Sequence, residues 1–104
     1  MRGDIHVLAA PRGVKGHEQR GARYAVILQS DDLALSTLLV APTSTSARPT
    51  SFRPAVDIGG RTTHVLVEQT TAVDPRRLGA WVGRLCYAEM VEVDRALALV
   101  LALD

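Results

Sequence analysis

The hydrophobic and polar positions follow two periods along the chain, that of short strands first and that of a helix last. Apolar residues alternate at Ile5, Val7 and Ala9, which is the two-residue period of a half-buried β-strand. The segments 24–29 and 38–41, apolar apart from the final Gln29, are typical of buried strands, and turn-forming or hydroxyl residues follow each segment. These patterns predict three strands in the first half of the chain.

The middle of the chain predicts a hairpin and one more strand. Gly59-Gly60 favours a tight turn between strands at 52–58 and 62–69, and Pro54 places the first of these at an edge or a bulge. Asp74-Pro75 predicts a capped helical turn. A last short strand is expected at 80–84.

The C-terminal segment predicts a helix. Apolar residues recur there at helical spacing, namely Met90, Val93, Leu97 and Val100. Cys86 is the predicted N-cap, and carboxylates in the first half of the segment suit the helix dipole. About five or six short strands and one terminal helix predict a single α+β domain over residues 1–104, a small, mainly antiparallel barrel.

Composition excludes several classes of protein. Hydrophobic residues make up 47% of the chain and the formal net charge is +1, which excludes a disordered tail. No apolar run approaches the roughly 18–20 residues that cross a bilayer, and the N-terminus lacks the apolar core of a signal peptide. We therefore expect a cytoplasmic protein without membrane contact. A single cysteine, Cys86, excludes an internal disulfide and a cysteine-rich zinc site.

Charge is unevenly distributed along the chain. Residues 1–84 carry a net charge of +4 and residues 85–104 a net charge of −3. Every cation except Lys15 is arginine, which forms bidentate hydrogen bonds to phosphate and carboxylate groups. The basic part is compatible with an anionic partner, although a base-composition bias that enriches arginine and alanine explains it equally well.

Familiar catalytic motifs are missing from the sequence. It contains no phosphate-binding loop, nucleophile elbow, metalloprotease helix or Cys-x-x-Cys pair. The histidines His6, His17 and His64 are not spaced as metal ligands. The Asp31-Asp32 pair predicts a solvated turn. We expect Cys86 to be a small buried side chain and not a nucleophile. Any catalysis is expected to use neither a metal nor a cofactor.

Two segments are dense in reactive side chains. The first, 16–23, combines an imidazole, a carboxylate, an amide and two guanidinium groups ahead of a buried strand, and its candidate residues are His17, Glu18, Gln19, Arg20 and Arg23. The second, 43–46, is a cluster of hydroxyls at the end of another strand. Taken alone, both segments are better explained as polar surface loops than as sites.

A resemblance to a known family makes these segments more informative. Gly16-His17-Glu18-Gln19 with Arg23, the segment 40–46, and the later stretches around Glu68-Gln69, Arg77-Leu78-Gly79 and Gly83-Arg84-Leu85 occur in the order found in the MazF/PemK toxins. These are the ribonuclease halves of bacterial toxin–antitoxin pairs. The resemblance extends over nearly the whole chain. Each motif alone is weak evidence for the family, but the set of motifs in this order is specific to it.

The resemblance implies a small SH3-like barrel that forms a homodimer and cleaves single-stranded RNA without a metal. Arg23 is then the catalytic arginine, which stabilises the phosphorane formed when a ribose 2′-OH attacks the adjacent phosphate. Ser44 aligns best with the family's threonine, although a slip of one residue would choose Thr43 or Thr45. Glu18 and His17 become proton-handling groups.

The same resemblance assigns RNA binding and a protein partner. The implied RNA-binding residues are Gln19, Arg20, Thr43, Thr45, Glu68 and Gln69. The implied partner is an antitoxin whose acidic tail occupies the RNA site. The sequence departs from the family at Tyr24, where proline is usual, and at Leu66, where one branch carries an arginine used in cleavage.

Two alternatives remain open on sequence grounds. The first is a related barrel that poisons a protein such as DNA gyrase, for which Trp81 would be the anchor, although a core tryptophan is the more expected role. The second is a non-catalytic SH3-like binding module. Arg23 together with a hydroxyl at Ser44 favours the nuclease over the poison, and the binding module leaves the reactive side chains of 16–23 without a reason.

Overall fold

The structure is a computed structural model that describes residues 1–9 and 23–103. Within these ranges its strands are β1 (Asp4–Leu8), β2 (Arg23–Ile27), β3 (Leu38–Ser44), β4 (Ala55–Ile58), β5 (Arg61–Val65), β6 (Thr71–Val73) and β7 (Leu78–Arg84). A single α-helix in this part of the chain, α1 (Tyr87–Leu101), follows the last strand. Short 3-10 helices at Val67–Gln69 and Pro75–Arg77 lie on either side of β6.

The strands form one curled antiparallel sheet. Its order is β4-β5-β3-β2-β1-β7, and β6 pairs with β3 beside the main path. One edge of β3 pairs with β2, whereas its other edge pairs first with β6 at Leu38–Val40 and then with β5 at Thr43 and Ser44. Because β3 changes partner along its length, the sheet bends there into a half-barrel. The predicted α+β barrel with a C-terminal helix is confirmed.

Both faces of the curled sheet bury apolar side chains. Val26, Ala41 and Val65 lie on the face covered by α1, where they share a cluster with Val93 and Ala96 of the helix. A smaller cluster on the opposite face contains Ala25, Ile27, Val40 and Val73. The continuous apolar runs of β2 and β3 therefore arise because neighbouring residues of these strands are buried on opposite sides.

The start of α1 is fixed by hydrogen bonds to the sheet. The Glu89 carboxylate accepts the Cys86 backbone N–H at 2.9 Å, one half of a capping box, and the Asp57 N–H of β4 at 2.8 Å. Asp4 of β1 accepts from the Arg84 guanidinium of β7 at 2.8 Å. We call Asp4, Arg84 and Glu89 the helix anchor, because the first two join β1 to β7 just before the helix and Glu89 joins β4 to the helix start.

The predicted elements are present, but several bounds differ: the strand predicted at 52–58 begins at Ala55, and those predicted at 24–29 and 38–41 run over Arg23–Ile27 and Leu38–Ser44. The strand predicted to reach Gln69 ends at Val65, because the Leu66 N–H donates to the Pro42 carbonyl and the chain then turns through the 3-10 helix. Strand β6 was not predicted, since three residues carry too little periodicity. Strand β7 begins at Leu78, two residues before the prediction.

The helical turn and the helix cap were predicted correctly. Asp74 accepts the Arg76 N–H at 2.9 Å and Pro75 begins the turn. Cys86 is the N-cap of α1. Its predicted burial is wrong, however, because the N-cap lies at the surface and Cys86 is exposed.

The expectation that Trp81 is a core residue is also wrong. Its side chain is 59% exposed, because β7 is an edge strand that pairs only with β1 among the described strands. Val82 beside it is exposed as well. In the described residues, no helix is long and apolar enough to cross a membrane.

Candidate functional site

The site is built where β2, β3 and β5 lie side by side. The last residue pair between β2 and β3 is Ala25 with Pro42. Arg23 and Ser44 lie two positions further along their strands, and strand alternation therefore puts both on the face of Ala25 and Pro42. The Thr43 hydroxyl donates to the Tyr24 carbonyl at 3.1 Å and keeps the two strands together at this end.

Strand β5 adds a third side chain to this face. Ser44 pairs directly with His64 across the β3–β5 ladder. Directly opposed residues of antiparallel strands project to the same face, with Cβ atoms about 5 Å apart. Arg23, Ser44 and His64 therefore form what we call the cross-strand row, one residue from each of three neighbouring strands.

The Ser44 hydroxyl is buried and already oriented by the following bend. The residue is 8% exposed. Its Oγ accepts the Ser46 N–H at 3.2 Å and lies 3.4 Å from the Ser46 hydroxyl. One lone pair of this hydroxyl is directed to the backbone N–H, and its proton is directed either to the Ser46 hydroxyl or to a ligand oxygen.

The neighbouring hydroxyls occupy different environments. Thr43 is 4% exposed and lies on the opposite face of β3, where its partner is the core residue Val65. Thr45 is exposed in the bend after β3. Of these three candidates, Ser44 alone shares a face with Arg23.

Glu68 has a protein partner that the sequence did not indicate. Its Oε2 accepts from the Arg53 guanidinium at 2.9 Å and 2.6 Å, and both side chains are largely buried. Arg53 also donates to the Arg48 carbonyl at 3.3 Å. The pair therefore ties the chain after Ser44 to the 3-10 helix, whereas Gln69 next to it is exposed. The two residues are fifteen positions apart, and no local sequence pattern indicates a contact at that separation.

Four of the predicted site residues cannot be placed. His17, Glu18, Gln19 and Arg20 lie outside the described ranges 1–9 and 23–103. The described part of the site consists of the cross-strand row with its supporting residues.

The acidic pair Asp31-Asp32 is a turn, as predicted. Asp31 accepts the Arg2 N–H at 2.9 Å, and the Asp32 N–H donates to the Ser30 hydroxyl at 3.1 Å. Within residues 1–9 and 23–103, no group of three or more His, Cys, Asp or Glu side chains is arranged to hold a metal ion.

The cross-strand row combines groups that suit a phosphodiester. A guanidinium supplies a permanent positive charge and several donors, and a hydroxyl beside it supplies one more donor. Such a pair can bind a phosphate and stabilise the negative charge that builds up when the phosphate is attacked.

Comparison with known families agrees with this chemistry. A model of PemK-like, MazF-like toxins of type II toxin–antitoxin systems matches residues 1–101. The chain belongs to this family. The resemblance predicted from the sequence is therefore confirmed.

Individual relatives cover the full length of this toxin. A Mycobacterium tuberculosis protein described as a toxin is 36% identical over 104 residues, which span 99% of this chain and 98% of the relative. The endoribonuclease MazF of Staphylococcus epidermidis is 32% identical over 111 residues, spanning 99% of this chain and 92% of that enzyme. The endoribonuclease prediction is confirmed at the level of the family.

A solved structure shows the same fold. An endoribonuclease from a Mycobacterial species, in complex with its cognate antitoxin, superposes with a TM-score of 0.81 and a sequence identity of 20%. The match covers 100% of this chain and 96% of that one. The curled sheet with one terminal helix is thus shared with a toxin whose sequence is largely different.

Proposed function

We propose that this MazF-like toxin cleaves single-stranded RNA without a metal, and that the cross-strand row is its cleavage site. The observation that carries the proposal is the common face of Arg23 and Ser44 in a chain of this family. A gyrase poison or a simple binding module needs neither residue, so the nuclease accounts for the site better.

In the proposed reaction the ribose 2′-OH attacks the adjacent phosphorus and the bond from phosphorus to the 5′ oxygen breaks. The products are a 2′,3′-cyclic phosphate and a 5′-OH end. Arg23 stabilises the charge on the pentacovalent phosphorane, and Ser44 donates a hydrogen bond to a non-bridging oxygen. Glu18 and His17 remain proposed proton-handling groups.

RNA selectivity is proposed to arise beside the row. Exposed Thr45 and Gln69, with Gln19 and Arg20, offer hydrogen bonds to unstacked bases. Thr43 donates to the Tyr24 carbonyl and the Oε2 of Glu68 accepts from Arg53, so that both side chains suit support of the site better than base contact. These assignments predict that exchanging Gln69 alters the preferred cleavage sequence.

Two protein partners are also proposed. The net charge of +4 over residues 1–84 favours an antitoxin with an acidic tail that competes with RNA. A homodimer is supported by exposed apolar side chains on the edge strand and at the end of the helix, among them Trp81, Val82, Leu99 and Leu101. We also propose a cytoplasmic location, where both RNA and an antitoxin are present.

The test uses purified protein and a long single-stranded RNA in excess EDTA, with Arg23→Ala in parallel. We expect cuts at a few sequences, with 2′,3′-cyclic phosphate and 5′-OH ends, and loss of these cuts in the variant. RNA binding should also weaken steeply as salt is raised, because phosphate contacts release counterions. Intact RNA across many sequences would overturn the proposal.

A further inference from the structure

His64 is the one member of the cross-strand row that the proposed reaction leaves without a role. It is partly buried in β5, with Ser44 on one side and the small side chain of Ala55 on the other. Its Nδ1 atom is buried, and no hydrogen-bond partner reaches it in the described part of the chain. A buried polar atom without a partner destabilises a fold, and of the four such atoms among the described residues that of His64 belongs to the cross-strand row.

None of the polar neighbours of His64 among the described residues forms a hydrogen bond with its imidazole. Asp57 of β4 lies on the same face, but its carboxylate accepts the Gly60 N–H at 2.8 Å. Ser44 hydrogen-bonds with Ser46, and its Oγ has no hydrogen bond to the imidazole. Arg23, the charged group on this face of β2, lies on the far side of β3.

The order of the strands places Arg23 and His64 on opposite sides of Ser44. Neighbouring strands are about 4.8 Å apart, so the backbones of β2 and β5 are separated by about 10 Å. A phosphate held at Ser44 would lie between the guanidinium and the imidazole. In an in-line displacement the entering and leaving oxygens lie on opposite sides of phosphorus. One side of such a phosphate is therefore within reach of His64.

We propose that His64 is the proton donor to the leaving 5′ oxygen, an inference that rests on the proposed RNA cleavage. The bond from the 2′ oxygen to phosphorus forms while the bond to the 5′ oxygen breaks. The 2′-OH proton passes to the proton acceptor of the proposed reaction, and the imidazolium proton passes to the 5′ oxygen. Water then takes the proton from that acceptor and returns one to the neutral imidazole. Imidazole suits this step because it exchanges protons near neutral pH.

The test compares two substrates for each protein. One is a short RNA that the wild-type toxin cleaves, and the other is the same RNA with sulfur in place of the leaving 5′ oxygen. A thiolate leaves without a proton, so it has no need of a proton donor. We expect His64→Gln to cleave the oxygen substrate about a hundredfold or more slowly and the sulfur substrate within about tenfold of wild type.

Two control variants accompany His64→Gln. Thr62→Ala changes an exposed residue of the same strand and should cleave both substrates at wild-type rates. Arg23→Ala should be slow on both substrates, because stabilisation of the phosphorane is needed whichever atom leaves. The ratio of the two rates is a property of the folded molecules alone, so partial unfolding of a variant does not alter it.

An unchanged ratio in His64→Gln, with both substrates slowed equally or neither slowed, would overturn the role of His64. A wild-type protein that cleaves neither substrate would overturn the proposed function itself. The two failures are thus distinguishable within one set of measurements.

Discussion

The helix anchor and the cross-strand row are polar clusters of three residues each, and they differ in how completely their polar groups are hydrogen-bonded. In the anchor, the Asp4 carboxylate contacts Arg84 and the N-terminal ammonium at 2.8 Å and 3.2 Å. Glu89 accepts two backbone N–H groups. In the row, the Nδ1 of His64 has no partner among the described residues. A cluster whose groups satisfy one another stabilises the fold, whereas one with an unmatched group is suited to a ligand.

The electrostatics of the anchor agree with a structural role. Burial alone raises the pKa of Asp4, but hydrogen bonds from Arg84 and Trp81 and the charge of the N-terminus outweigh it, so that the pKa is below its usual value. Burial likewise raises the pKa of Glu89, and the N–H groups of Asp57 and Cys86 reverse the effect. Both carboxylates are therefore held in the charged form that their donors require.

The comparison is tested most strongly by removing one arginine from each cluster. Arg23→Ala should reduce RNA cleavage by about a thousandfold, because the guanidinium stabilises charge in the transition state. Arg84→Ala should leave cleavage per folded molecule unchanged and lower the free energy of unfolding by about 1 kcal/mol, since the pair with Asp4 is partly solvated. Cleavage rates and urea unfolding curves measure both effects. The reverse pattern would show that the roles of the clusters are exchanged.

The two faces of β3 provide the next test. Ser44→Ala should slow cleavage by about ten- to a hundredfold, because one hydrogen bond to the phosphate is lost. Thr43→Val should lower the free energy of unfolding by about 1 kcal/mol, since the Tyr24 carbonyl loses its donor. Its cleavage rate per folded molecule should be that of wild type. If Thr43→Val lost more cleavage activity than Ser44→Ala, the functional hydroxyl would be that of Thr43, on the opposite face of β3.

The third test asks whether the Arg53–Glu68 pair holds the chain next to the cross-strand row in place. Glu68→Gln leaves the largely buried guanidinium without its counter-charge and should lower the free energy of unfolding by about 1–2 kcal/mol. We expect the KM for RNA to rise more than kcat falls, because the chain after Ser44 loses its tether. Glu92→Gln is the matched control, since its exposed pair with Arg95 should contribute about 0.3 kcal/mol. If Glu68→Gln and Glu92→Gln changed stability and KM equally, the Arg53–Glu68 pair would have no specific role in supporting the site.

The smallest expected effect is the acid sensitivity of the anchor. The pKa values of Asp4 and Glu89 are lowered from reference values of 3.8 and 4.5. Their stabilisation is therefore complete above these reference values and is lost as the pH falls through the lower folded values. Unfolding free energies measured between pH 6 and about pH 3 should decrease, and Asp4→Asn should flatten the curve. An identical curve for the variant would exclude Asp4 as a source of this sensitivity.

The sequence predicted most of the fold because its periodicities are local. The spacing of Met90, Val93 and Leu97 determined the helix, and Gly59-Gly60 determined the hairpin between β4 and β5. Short elements were not predicted, since β6 has only three residues and the sequence of the 3-10 helix at 67–69 resembles the end of a strand. The exposure of Trp81 followed from the position of β7 at the sheet edge, which depends on pairing and not on composition.

For the site, the sequence by itself determined the family and the chemical types, a guanidinium at Arg23 and a hydroxyl between 43 and 45. Only the tertiary structure decided that Ser44 shares a face with Arg23, that Glu68 pairs with Arg53, and that His64 lies opposite Ser44. Register between strands distant in sequence selects these neighbours, and a shift of one residue exchanges the two faces. That register is fixed by the burial of Val26, Ala41 and Val65 together, a condition that no local segment contains.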